Sequence, residues 1–87
     1  MDIFNILTLP TAKDIRGARN YIGWTQKELG KRVGITAPNI TNIENGKQNP
    51  TKENLEKIAQ VFGNEEIKFD SRGGFIVDRN IVTVYEG

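Results

Sequence analysis

The chain has 87 residues, of which 37% are hydrophobic and 26% charged, with a net charge of +1 and neither cysteine nor histidine. That length predicts one globular domain with a modest core, marginal alone and helped by a partner subunit. The missing residue types exclude disulfide staples and thiolate zinc sites, and they remove the commonest general base and metal ligand.

Residues 1–10, MDIFNILTLP, are apolar but carry an acidic second residue and no basic stretch, so they do not read as a signal peptide. No apolar run approaches the ~18 residues of a membrane span. The expectation is an N-terminal arm, or a further strand, on a cytoplasmic protein that meets no membrane.

From Thr11 onward one local pattern recurs four times: Pro10-Thr11-Ile15, Trp24-Thr25-Leu29, Ile35-Thr36-Ile40 and Pro50-Thr51-Leu55. A threonine oxygen can accept an orphan N–H of a first helical turn. The flanking apolar residues sit where a hydrophobic staple forms. Thr25 with Glu28 completes a capping box, and Thr11 with Asp14 resembles one. Four helices are therefore predicted between residues 11 and 63. Their inner faces carry Ile15, Ala18 and Ile22, then Leu29 and Val33, then Ile40 and Ile43, then Leu55, Ile58, Ala59 and Phe62. Gly23, Gly34, Gly46 and Gly63 are read as left-handed stops. After Gly63 the period shortens. EEIKFD, FIVD and IVTVYE read as two or three short strands within residues 65–86, with SRGG as a turn. This β extension, residues 64–87, either packs on the domain's own helices or pairs across a two-fold axis. The predicted fold class is mainly α, four helices followed by a small C-terminal β unit.

The second and third helices, joined at Gly34, form a helix-turn-helix unit, with helix three over about Ala37–Asn45. In such units the second helix enters the DNA major groove. Pro38 falls in a first turn, where a missing N–H costs little. With Ile40 and Ile43 inside, the outer side shows Ala37, Pro38, Asn39, Thr41, Asn42 and Asn45. Surface helices usually carry better helix formers. Asparagine can pair bidentately with adenine, and Ala or a Thr methyl can touch the thymine methyl, which suits a partly A·T half-site. The same residues also fit an ordinary helix pair that binds no DNA, with Asn and Thr near its ends.

The stretch from Ile15 to Gly63, above all GWTQKELGKRVGI and IENGKQNP followed by an apolar helix, resembles the Cro/CI-type helix-turn-helix family of phage repressors and small bacterial regulators. The resemblance implies a lambda-repressor-like fold and a transcriptional regulator, a repressor that binds double-stranded DNA as a homodimer. It implies base reading by Thr36, Ala37, Pro38, Asn39, Thr41 and Asn42. It implies phosphate contacts from Gln26, Asn45, Lys47, Gln48 and Asn49, with Gln26 also bracing helix three; Lys27, Lys31 and Lys47 would supply the positive charge at the phosphates. It implies a buried ion pair between Arg19 and Glu44. Gly30 stands where the family usually has alanine, which predicts a weaker helix two.

Residues 1–63 carry nine Lys/Arg and six Asp/Glu, and residues 64–87 three and five, so +3 is set against −2. Much of the phosphate contact must then come from neutral donors. Three other classes compete. An enzyme would need paired carboxylates or a Lys or Tyr base, and no spacing supplies them; no cofactor is expected. An antitoxin-like or adaptor protein would bind a partner protein through residues 64–87. RNA binding would need exposed aromatics, and most here occupy core positions.

Overall fold

The computed structural model describes residues 8–77. Its elements, in order, are α1 (Ala12–Ile22), α2 (Gln26–Val33), α3 (Ala37–Glu44), α4 (Lys52–Gly63), β1 (Ile67–Phe69) and β2 (Phe75–Val77). The mainly helical class with a small β unit is the one the sequence predicts. A third strand within residues 80–86 falls outside the described residues, as do residues 1–7 of the N-terminal arm.

Thr11, Thr25 and Thr51 each accept the N–H of the third helical residue, and both α1 and α2 open with full capping boxes. Thr36 differs. It occupies the cap position of α3 with an extended backbone, but its side chain makes no cap bond. Pro38, the second helical residue, has no N–H to offer, and the Asn39 N–H, the counterpart of the donors used by the other three threonines, makes no bond to Thr36.

The stops also divide. Gly23, Gly34 and Gly46 take positive φ values of 85°, 85° and 77°. Gly63 does not; it is the last residue of α4, and the chain continues right-handed through Asn64. The reversal into β1 comes three residues later, where Glu66 adopts φ 67° and donates its N–H to the Gly63 carbonyl at 2.9 Å. A left-handed glycine at 63 is therefore corrected to a left-handed glutamate at 66. Gly30 has a steric reason. A Cβ there would collide with the Ile35 carbonyl oxygen in the turn below. Glycine lets the turn close on α2, so the residue is more than a weak helix former.

All four helices and β1 feed one core. Phe62 lies at its centre, fully buried, stacked on Trp24 (5.4 Å between centroids) and edge-on to Phe69 (5.7 Å). Such contacts add to simple area burial. The Arg32 guanidinium lies over the Trp24 ring at 4.1 Å.

β1 and β2 form an antiparallel hairpin with Lys68 opposite Ile76. In its turn, Asp70 accepts the Arg72 backbone N–H (3.1 Å) and guanidinium (3.2 Å). Those two bonds, the backbone one foremost, hold the Asp70 carboxyl below its ordinary pKa. The hairpin packs on the chain's own helices: Ile67 and Phe69 face α4, and Phe75 lies against Gly17 and 5.7 Å from Tyr21 on α1. The Gly74 N–H reaches the Asp14 carboxylate at 3.0 Å.

These glycines make opposite predictions. At Gly63 an added Cβ meets nothing within 4 Å and φ is not positive, so Gly63→Ala should raise stability by ~0.4–1 kcal/mol. Gly34→Ala, at φ 85°, should lower it by ~1 kcal/mol or more. Urea unfolding of the two variants checks both signs.

Candidate nucleic-acid interface

The turn between α2 and α3 is set by two short bonds. Gly34 and Ile35 both donate to the Gly30 carbonyl, at 2.7 and 2.9 Å. Ile35 then returns to the core edge and α3 begins. Ile40 and Ile43 are buried in the core, where α3 packs on α1 and α2, with 0% and 2% exposure. That burial fixes which face of α3 is left over.

Glu44 fixes its rotation further. This carboxylate is 4% exposed, the one buried charged residue among those described. Arg19 donates to it through two nitrogens, Nε at 2.7 Å and Nη2 at 3.0 Å, and spends Nη1 on the Trp24 carbonyl at 2.9 Å. Gln26 Nε2 donates to Glu44 as well, at 3.1 Å. The other end of that amide, Oε1, receives the Thr41 hydroxyl at 2.7 Å. The network thus ties α1, α2 and α3 together, and no buried side-chain N or O among the described residues lacks a partner. The Arg19–Glu44 pair implied by the resemblance is present as a bidentate bridge.

The remaining candidates fall into three groups. Thr36, Pro38 and Asn39 are exposed at the start of α3, with Ala37 and Asn42 half-buried beside them. Asn45, Lys47 and Asn49 are exposed after α3, with Gln48 half-buried, and Lys27 is exposed on α2. Thr41 and Gln26 form the third group. The Thr41 hydroxyl is directed at Gln26 and at the Ala37 carbonyl (3.1 Å), so the outward part of its candidate reading role narrows to its methyl. Gln26 keeps one amide hydrogen unassigned, because Glu44 takes only one of two.

Arg16 escaped the sequence reading. Its Nη2 donates to the Asn45 side-chain oxygen at 3.1 Å and lies 3.4 Å from the Glu44 carbonyl. The signal was available: Arg16 precedes Arg19 by three, so both share the α1 face that meets the end of α3. Among the described residues no group of three or more Asp, Glu, His or Cys side chains could hold a metal, and no helix is long and apolar enough to cross a membrane.

A core-packed helix pair with a rigid turn, presenting amides and hydroxyls along one face of its second helix, defines a helix-turn-helix protein. The family model described as Helix-turn-helix matches residues 15–69, and the chain belongs to that family of transcriptional regulators, the Cro/CI type. It is 39% identical to an uncharacterized HTH-type transcriptional regulator of Methanothermobacter thermautotrophicus, over 62% of this chain and 78% of that one. It is 41% identical to antitoxin HipB of Escherichia coli over 56% of each chain, so it matches about half the length of that relative. Among solved structures it resembles the DNA-binding domain of the P22 c2 repressor, with TM-score 0.58, 28% identity and 67% and 76% of the two chains covered. It also resembles the biofilm regulator SinR in complex with DNA, with TM-score 0.55, 28% identity and 60% and 87% covered.

Glu44→Ala should cost ~3–5 kcal/mol in urea unfolding, because it strands the Arg19 charge at a buried site. The double variant Arg19→Met, Glu44→Leu should recover much of that loss, since it leaves no uncompensated charge.

Proposed function

We propose that this protein is a repressor that reads double-stranded DNA through α3, as a homodimer on two half-sites. The observation that supports this best is the side-chain set left over once packing is satisfied. Ile40, Ile43 and Glu44 are consumed by the core and the ion pair, whereas Thr36, Pro38 and Asn39 stay exposed. Asn39 and Asn42 are the base-reading candidates, each suited to an adenine edge, with Ala37 and the Thr41 methyl suited to thymine. Lys27, Asn45, Lys47, Gln48 and Asn49 lie on either side of α3 and would hold phosphates. The Thr36 hydroxyl, unused as a cap, is open to the same task.

The mild charge sets the character of the binding. With +3 on residues 1–63, few counterions are released and the salt dependence is shallow. One half-site then gives little affinity, and two, spaced ~34 Å apart, are needed.

The second reading is an antitoxin-like protein whose C-terminal β extension binds a partner protein, with DNA binding for autoregulation. It draws on the likeness to HipB and to a chain of the HipA–HipB–O2–O3 complex, with 38% identity, TM-score 0.52 and 60% and 73% of the two chains covered. Co-purification with the product of an adjacent toxin-like gene would favour it.

On a duplex carrying two half-sites, Asn39→Ala and Asn42→Ala should each cost ~1–3 kcal/mol and relax preference at one position. Lys47→Ala should weaken every sequence alike. A uniform loss in all three variants would reduce the asparagines to positioning groups. A titration in which one half-site binds as tightly as two would contradict the dimer.

A further inference from the structure

α3 ends with no basic residue of its own in the last turn. Helix C-termini favour a nearby cation, because their last carbonyls are unpaired and carry partial negative charge. Here the Asn42 carbonyl is satisfied by the N–H groups of Lys47 (2.9 Å) and Gln48 (3.2 Å), and the Ile43 carbonyl by Gly46 (3.1 Å). The Glu44 carbonyl is approached instead by a side chain from another helix, Arg16 of α1.

The same nitrogen, Nη2, also donates to Asn45 Oδ1 at 3.1 Å. That bond decides which way the Asn45 amide faces. A guanidinium has donors only, so it tolerates the amide oxygen and repels the amide nitrogen. Asn45 is therefore locked with its oxygen on Arg16, and its Nδ2 donors are the end left open. Both residues are exposed, and among the described residues Nε and Nη1 of Arg16 make no hydrogen bond. A guanidinium with spare donors beside an oriented amide matches a phosphate oxygen pair.

We infer that Arg16, from outside the helix-turn-helix unit, positions Asn45 and shares with it one DNA phosphate at the end of α3. This rests on the DNA-binding reading above and adds a residue to it. It also supplies a guanidinium to a surface otherwise served by lysines and neutral amides.

The test uses the full chain and a fluorescent mixed-sequence duplex of defined length at low salt, because phosphate contacts need no operator. Each variant is measured well below its own unfolding temperature. Arg16→Gln should weaken binding by about 5- to 10-fold and flatten the slope of log K against log salt by about 0.9, one phosphate's worth. In an Asn45→Ala background the same change should cost less than about 3-fold, because the two residues act on one group. If the parent chain binds but Arg16→Gln leaves the slope unaltered, or its loss simply multiplies with that of Asn45→Ala, then Arg16 is only a helix cap and the inference fails while the DNA reading stands. If the parent chain does not bind the duplex at all, both fall.

Discussion

Glu44 controls the geometry of everything that follows α2. Its carboxylate sits in the core at 4% exposure and is bound by Arg19 of α1 and Gln26 of α2. Desolvating such a charge is costly, and the attraction of a bidentate partner offsets that only when the geometry is held closely. The arrangement is therefore intolerant. α3 can neither roll nor slide without separating Glu44 from both donors. An apolar residue at 44 could fill the same space, but it would make no directional bond to α1 or α2.

That orientation decides which groups remain for a ligand. The Thr41 hydroxyl is drawn into the network through Gln26, whereas the Thr36 hydroxyl makes no cap bond. The asparagines at 39, 42 and 45 lie outside the core contacts. At the far end of α3, Arg16 ties α1 to the helix terminus as Arg19 does one turn deeper. The hairpin contributes from the opposite side. Phe69 packs on Phe62, Phe62 on Trp24, and Arg32 of α2 lies over Trp24. A continuous aromatic column thus runs from β1 to the helix-turn-helix pair.

The helices were legible because their signals are local. A threonine three residues before Glu28 or Asp14, with isoleucine or leucine at the next inward position, carries its own geometry. The inner faces followed from spacing for the same reason. What escaped depends on residues distant in the chain. Gly63 looks like a stop, but the turn into β1 is set by how Ile67 must reach the core, and that places the left-handed residue at Glu66. Gly30 looks like a weakness until the Ile35 carbonyl is seen beneath it. Arg16 meets Asn45 across 29 positions; its place three before Arg19 puts it on the right face of α1, but nothing local names Asn45 as its partner. The Arg19–Glu44 pair, 25 apart, was legible only through the family resemblance.

The central claim is that α3 and the segment after it form the surface that meets DNA. Amide chemical shifts of the full chain, followed as a mixed-sequence duplex is added at low salt, test it most directly. The account predicts that the largest changes fall at residues 36–42 and 45–49 and at Gln26, with α4 and the hairpin nearly silent. Changes concentrated on β1, β2 or the exposed side of α4, with α3 unmoved, would contradict it.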